Sequence, residues 1–205
     1  MTAANDNFVP FQKIPRLKRG CIITEKIDGT NAQVVVRSTA ELSPAEDVPW
    51  HANVVVKDGQ SWMVSAGSRT RWISPDNDNF GFAAWVKQNA EQLVDLGPGQ
   101  HFGEWWGVGI QRGYGLHERR FSLFNSGRWS SERPACCSVV PVLYAGDFTT
   151  DTVDEVMDVL KGAGSHAAPG FMKPEGLVVF MTAARHLYKV LAENDELPKG
   201  VKEAA

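Results

Sequence analysis

The sequence predicts an α+β domain, mostly antiparallel sheet with a few flanking helices. Three observations carry this. Runs of β-branched residues follow one another without a helix between each pair, which favours antiparallel pairing over βαβ units. Only two stretches have helical spacing. Neither an internal repeat nor a linker-like segment divides the 205 residues, a length that supports one sizeable core.

The elements follow in chain order. GCIITE (20–25) and AQVVVR (32–37) are β-branched runs on either side of EKIDGTN. AELSPAEDVPWHA (40–52) is polar with two prolines and reads as a loop. NVVVKDGQSWMVSAG (53–67) is a hairpin with Asp58-Gly59 at its turn. FGFAAWVKQNAEQLVDLG (80–97) predicts one helix, with Phe82, Trp85, Val86, Leu93 and Leu96 on a shared face and Gly97 as its stop. QHFGEWW (100–106), RRFSLFN (119–125) and SVVPVLYAG (138–146) read as strands. TVDEVMDVLKG (152–162) is a helix, with Thr152 and Glu155 as a capping box and Gly162 at its end. EGLVVFMT (175–182) and HLYKVLA (186–192) close the chain as a strand pair, and 193–205 is a polar, mobile tail.

Composition narrows the function classes. Apolar residues make up 43% and charged residues 22%, as in an ordinary soluble globule. With no apolar run of about 18 residues, no membrane-spanning helix is expected. The first residues lack the pattern of a secretory signal. Cys21, Cys136 and Cys137 fit neither a zinc spacing nor a disulfide framework, so a reducing, cytoplasmic setting is expected. The net charge of −3 leaves room for local basic patches. Lys13, Arg16, Lys18 and Arg19 form one, and Arg119 and Arg120 another; each is either a nucleic-acid contact or a solvated strand edge. Trp50, Trp72 and Trp129 lie in polar stretches and either mark a contact surface or cap the core.

The glycine-rich segments do not make a familiar nucleotide loop. No G-x-x-x-x-G-K-[ST] occurs. GVGIQRGYG starts like a dinucleotide fingerprint, but its third glycine falls one place late, at Gly113, without a βαβ setting. The glycines at 107, 109, 113 and 115 read as an ordered loop or as simple turns.

KIDGTN by itself is equally a turn with a surface lysine. The rest of the chain changes that reading. Past Lys26, polar residues recur at strand ends in the order SRTR (68–71), FGEWWG (102–107), RRFSLFN (119–125), PEGLVVF (174–180) and LYKVL (187–191). This order resembles the covalent nucleotidyltransferases, the superfamily of ATP-dependent ligases and capping enzymes, and within it the short RNA ligases. The resemblance spans residues 25 to 190.

The resemblance implies an ATP-grasp-like nucleotidyltransferase fold over 1–192 and an ATP- and Mg²⁺-dependent (or Mn²⁺-dependent) RNA ligase joining 3′-hydroxyl to 5′-phosphate ends. Lys26 would attack the α-phosphorus of ATP and hold AMP. An amine attacks only when neutral, so nearby cations, bound Mg²⁺ and Lys189, must favour loss of its proton. By resemblance Glu25 contacts the adenine amine and Glu104 accepts from the ribose hydroxyls. Glu175 supports the metal and its waters. Asp28, Gly29 and Asn31 complete the lysine loop near the phosphates and metal waters. Arg69 is the phosphate contact, ahead of Arg71. Phe124 stacks on adenine, with Phe121 second; strand alternation lets only one of the two face the base.

Two departures stand out. The last motif of the family carries two lysines separated by one residue, whereas here Lys189 is flanked by Leu187 and Leu191, leaving one role to Arg185, His186 or no residue. Little sequence follows position 190, so RNA engagement falls to basic residues of this domain or to an accessory protein. The alternatives are a minimal DNA ligase, a capping-type enzyme, and a nucleotide- or RNA-binding remnant without complete chemistry.

Overall fold

The computed structural model describes residues 11, 13, 14, 19–41, 48–129, 131–193 and 195. Arg16, Lys18, part of the 40–52 loop and nearly all of the polar tail lie outside the described residues. The fold is α+β and mostly antiparallel, as the sequence predicts. Its strands are β1 (Gly20–Lys26), β2 (Thr30–Ser38), β3 (Ala52–Lys57), β4 (Gln60–Ser68), β5 (Trp72–Ile73), β6 (Gly99–Gly107), β7 (Arg119–Leu123), β8 (Cys137–Val139), β9 (Val142–Asp147), β10 (Gly176–Met181) and β11 (His186–Leu191). The helices are α1 (Phe82–Gln88), α2 (Ala90–Leu93) and α3 (Thr150–Ala163). No described helix is long and apolar enough to cross a membrane.

Two sheets organise these elements. The smaller runs β11-β10-β1-β9 and the larger β3-β4-β2-β6-β7-β8, with β5 paired to β4. All pairings are antiparallel except β7 with β8. One face of the large sheet buries Val34, Val64, Trp105 and Phe121 against Phe82, Val86, Leu93 and Leu96 of the helical segment. The rings of Phe82 and Phe121 lie 5.0 Å apart and those of Phe82 and Trp105 5.3 Å, a tilted aromatic cluster. The small sheet buries Cys21, Ile23, Leu177 and Val179 against Val153, Met157 and Leu160 of α3.

The chain passes between the sheets twice, at neighbouring places. Ile27–Gly29 carry it from β1 to β2, and Val140-Pro141 from β8 to β9. The second passage corrects the expectation of a single strand over 138–146. Pro141 lacks an N–H and cannot continue a ladder, but its carbonyl accepts from Glu25 N while Val140 N bonds Leu123 O.

Two further boundaries differ from expectation. The segment 80–97 is not one helix. Asn89 leaves helical geometry at φ −108° and ψ 12°, separating α1 from α2, and a 3₁₀ turn over Val94–Leu96 leads to Gly97 at φ 75°. The shared apolar face survives the break, with Trp85 only half-buried. The cap of α3 is Thr149 rather than Thr152: its hydroxyl accepts from Thr152 N at 3.0 Å, and the helix runs to Gly164, not Gly162. The Asp58-Gly59 turn is as expected, with both residues at positive φ.

The cap assignment is testable by thermal melting. Thr149→Ala is expected to destabilise the fold by about 1 kcal/mol, a fall in Tm of about 2–4 °C. Thr152→Ala, which leaves the capping acceptor in place, is expected to change Tm by less.

Candidate active site

Lys26 ends β1, and its side chain crosses to the residue just ahead of β10: Nζ donates to Glu175 Oε2 at 2.6 Å. Pairing of Lys26 with Gly176 sets this geometry. Gly176 sits at φ 151°, and a Cβ there would collide with Val190 O and meet Leu191 Cα at 2.9 Å. The Glu-Gly pair therefore needs its glycine so that β11 can close over it.

The passage from Lys26 to the large sheet is equally tight. Gly29 N donates to Glu104 Oε1 at 3.1 Å. A Cβ on Gly29 would lie 2.5 Å from Trp105 O and 2.7 Å from Trp106 Cβ, so the backbone rests directly on β6. Asn31 pairs with Glu104 across β2 and β6, and Ser122 with Glu104 across β6 and β7. By alternation these three share one face, and the apolar helices cover the other.

Glu104 is the strained group of this cluster. Burial raises its pKa from 4.5 to about 7, against the opposing pull of Lys26, the Gly29 N–H and Arg69. That Lys26, Glu175 and Arg69 all act on Glu104 brings the four charges into one site. Arg69 is exposed at the end of β4, whereas Arg71 is spent on the Asn77 carbonyl at 3.1 Å. Phe121 is fully buried in the core, while Phe124 is 39% exposed. Phe124 lies just past β7 on Glu104's face, its N–H bonded to Phe102 O. Lys189 pairs with Val178, which pairs with Thr24, so Lys189 and Lys26 share a face of the small sheet. His186 falls on the opposite face against Tyr188, and Arg185 turns the hairpin at φ 52°.

Glu25 is not brought into this cluster. It is 1% exposed and faces away from Lys26 across the sheet. Its oxygens accept from Ser165 Oγ at 2.5 Å and Ala167 N at 2.9 Å, tying the turn after α3 to β1. The Asp28 carboxylate accepts from Arg112 Nε at 3.0 Å. Among the described residues no three His, Cys, Asp or Glu converge as a metal cage.

Arg112 and Tyr114 are the residues that sequence reasoning missed. Both sit in the glycine loop after β6, where consecutive turns place Gln111 and Tyr114 as well as four glycines at positive φ. Arg112 also donates to Lys173 O at 3.0 Å, joining the lysine loop to the segment ahead of Glu175. Tyr114 OH accepts from Asp28 N at 2.7 Å, and its ring packs on Trp106 and Phe171. Burial raises the Tyr114 phenol's pKa, so it stays protonated. The run GVGIQRGYG signalled an ordered loop, but nothing local to it gave these partners.

A family model described as RNA ligase matches residues 19–191. The chain belongs to the RNA ligase family. Comparison with curated proteins finds no match. Among solved structures, it is similar to the apo form of a lysine-to-alanine mutant of an RNA ligase from Naegleria gruberi, at 17% identity and a TM-score of 0.51. The match covers 85% of this chain and 50% of that one, so the chain spans half the length of this relative. At that identity the likeness is one of fold alone.

Glu104 gives a pH-dependent expectation. Its folded pKa of about 7 lies above the ordinary 4.5, so its contribution to stability is present below 4.5 and lost as pH rises through about 7. Glu104→Gln, which cannot ionise, is expected to gain on the wild type between pH 5 and pH 8 by on the order of 2–3 kcal/mol. Denaturant melts at several pH values check this; a pH-independent difference would contradict it.

Proposed function

We propose that this chain is an ATP-dependent RNA ligase that joins 3′-hydroxyl and 5′-phosphate ends through lysyl-AMP. The observation that supports the reading is the junction of Lys26 and Glu175, at strand ends of the small sheet, with Glu104 inside β6 of the large one. Residues 1–192 are read as one nucleotidyltransferase unit.

Lys26 is the nucleophile. Its ammonium is held in place by Glu175 at 2.6 Å and loses its proton to solvent before attack. The neutral amine then forms a nitrogen–phosphorus bond to the α-phosphorus of ATP as the bond to pyrophosphate breaks. In the second step the 5′-phosphate of RNA takes the adenylyl group and Lys26 leaves, regaining its proton. In the third the 3′-hydroxyl attacks the activated 5′-phosphate and AMP departs. Glu104 and Asn31 suit a ribose, Phe124 a base, and Arg69 and Lys189 phosphate oxygens. Glu25 is better read as a brace for β1 than as an adenine contact.

A single carboxylate suits Mg²⁺, which is commonly held by one or two carboxylates plus substrate phosphates rather than by a protein cage. Glu175 is the residue that would hold it. Bound there, the ion would neutralise charge on the phosphate oxygens and favour the neutral amine.

Incubation with α-labelled ATP and Mg²⁺ is expected to label the wild type and not Lys26→Ala, with an added mass of about 329 Da. An unlabelled wild type, folded and free of prior AMP, overturns the reading. Reversible ATP binding without an adduct would make the chain a binding remnant. Preference for GTP, or for nicked DNA over RNA, would favour the capping or DNA-ligase alternatives.

Arg112 acts here as a positioning residue. Arg112→Ala is expected to slow labelling by about tenfold or more through misplacement of the lysine loop. Arg112→Lys should restore part of the rate, with the KM for ATP little changed.

A further inference from the structure

The face that carries Glu104 continues well past the active site. Along β2, Asn31, Gln33, Val35 and Arg37 alternate onto it. Across β4, Gly67, Ser65 and Met63 pair with Gln33, Val35 and Arg37, and Trp72 of β5 pairs with Gly67. Trp72 thus lies three strands from β6, roughly 15 Å at about 4.8 Å per strand.

This stretch is built of stacked rings. His51 lies flat on Trp72, with centroids 4.3 Å apart and planes 9° from parallel. Trp50 meets His51 edge-on at 5.2 Å and is 68% exposed. His51, Trp72, Arg37, Val35 and Met63 line one shallow cavity. Burial and the nearby Arg37 lower the pKa of His51, so it stacks as a neutral ring.

Two more observations point to a ligand. The buried side-chain polar atoms without a hydrogen-bond partner among the described residues, Gln33 Oε1 and His51 Nδ1, both belong to this strip. Such atoms are costly to leave unpaired, so this part of the sheet is incompletely satisfied in the free protein and a local shift on binding would relieve the cost. The strip also carries positive charge within a chain of net charge −3: Arg37, Arg69 and Arg71 are all exposed.

One exposed ring, Trp50, and the half-buried His51–Trp72 stack, set beside guanidinium groups, match single-stranded RNA, whose bases stack and whose phosphates pair with arginine. We propose that this strip is a platform for the single-stranded RNA end: bases stack on Trp50 and on the Trp72–His51 pair, and Arg37 pairs with the backbone. The proposal rests on the RNA ligase reading and adds where on this chain the strand lies. The shared face makes the platform continuous with Glu104 and Arg69.

The test pairs two readouts on full-length protein: anisotropy of a fluorescent single-stranded oligouridylate, and covalent AMP labelling. Trp50→Ala and Arg37→Ala are expected to weaken RNA binding about five- to tenfold each. Trp50→Phe should keep most of the affinity, and Arg37→Ala should make the salt dependence shallower. AMP labelling should be unchanged in all three. Wild-type affinity in both Trp50→Ala and Arg37→Ala overturns the platform, as does a wild type that binds no RNA. If the wild type binds RNA through these residues yet takes no AMP, the ligase reading fails and the platform stands. If Trp50→Ala does not fold, Arg37→Ala and Trp50→Phe decide.

Discussion

The structure depends on how closely the Lys26 loop lies against β6. Only three residues separate the end of β1 from the start of β2, and they must carry the chain from one sheet to the other. Gly29 makes this possible by presenting no side chain to Trp105 and Trp106, while its N–H holds Glu104. Every charged group of the site is placed relative to that contact. Lys26 ends one sheet, Glu104 lies in the middle of the other, and Glu175 reaches in from the start of β10.

The electrostatics follow from the same closeness. A carboxyl enclosed beneath a backbone crossing loses water, which explains why burial outweighs the nearby cations at Glu104. Glu175, ion-paired with Lys26, has a compensating charge within reach. Asp28 gains its own cation from Arg112, which keeps it from adding to the crowding of negative charge around Glu104. The glycine loop that supplies Arg112 and Tyr114 therefore acts as a third support, outside both sheets.

Much of this was legible in the sequence. Runs of β-branched residues marked most strands, and Asp58-Gly59 marked its hairpin. Of the residues the ordered motifs single out, the fold brings Lys26, Glu104, Glu175 and Arg69 within electrostatic reach of one another, while Phe124 and Lys189 lie on the same sheet faces. What periodicity does not carry is sheet membership: 138–146 alternates like one strand, yet Pro141 divides it between two sheets. Nor does it report a single residue leaving helical geometry, as Asn89 does inside an unbroken apolar pattern. The resemblance assigns Glu25 to adenine, but nothing in the local pattern reports that its carboxylate braces Ser165 and Ala167 from the face opposite Lys26. Arg112 and Tyr114 owe their partners to positive-φ turns and to contacts more than 60 residues away along the chain, which no local pattern reports.

The pairing of β1 has a consequence for the order in which the molecule is made. Gly20 pairs with Asp147 and Lys26 with Gly176, so the strand bearing Lys26 leaves the ribosome long before either neighbour exists. At translation speeds of about 5–20 residues per second the wait is roughly six to thirty seconds. During it both edges of β1 are open to other chains, and a polypeptide released before residue 175 carries Lys26 without the carboxylate that receives it. Assembly of the site is therefore coupled to synthesis of β10.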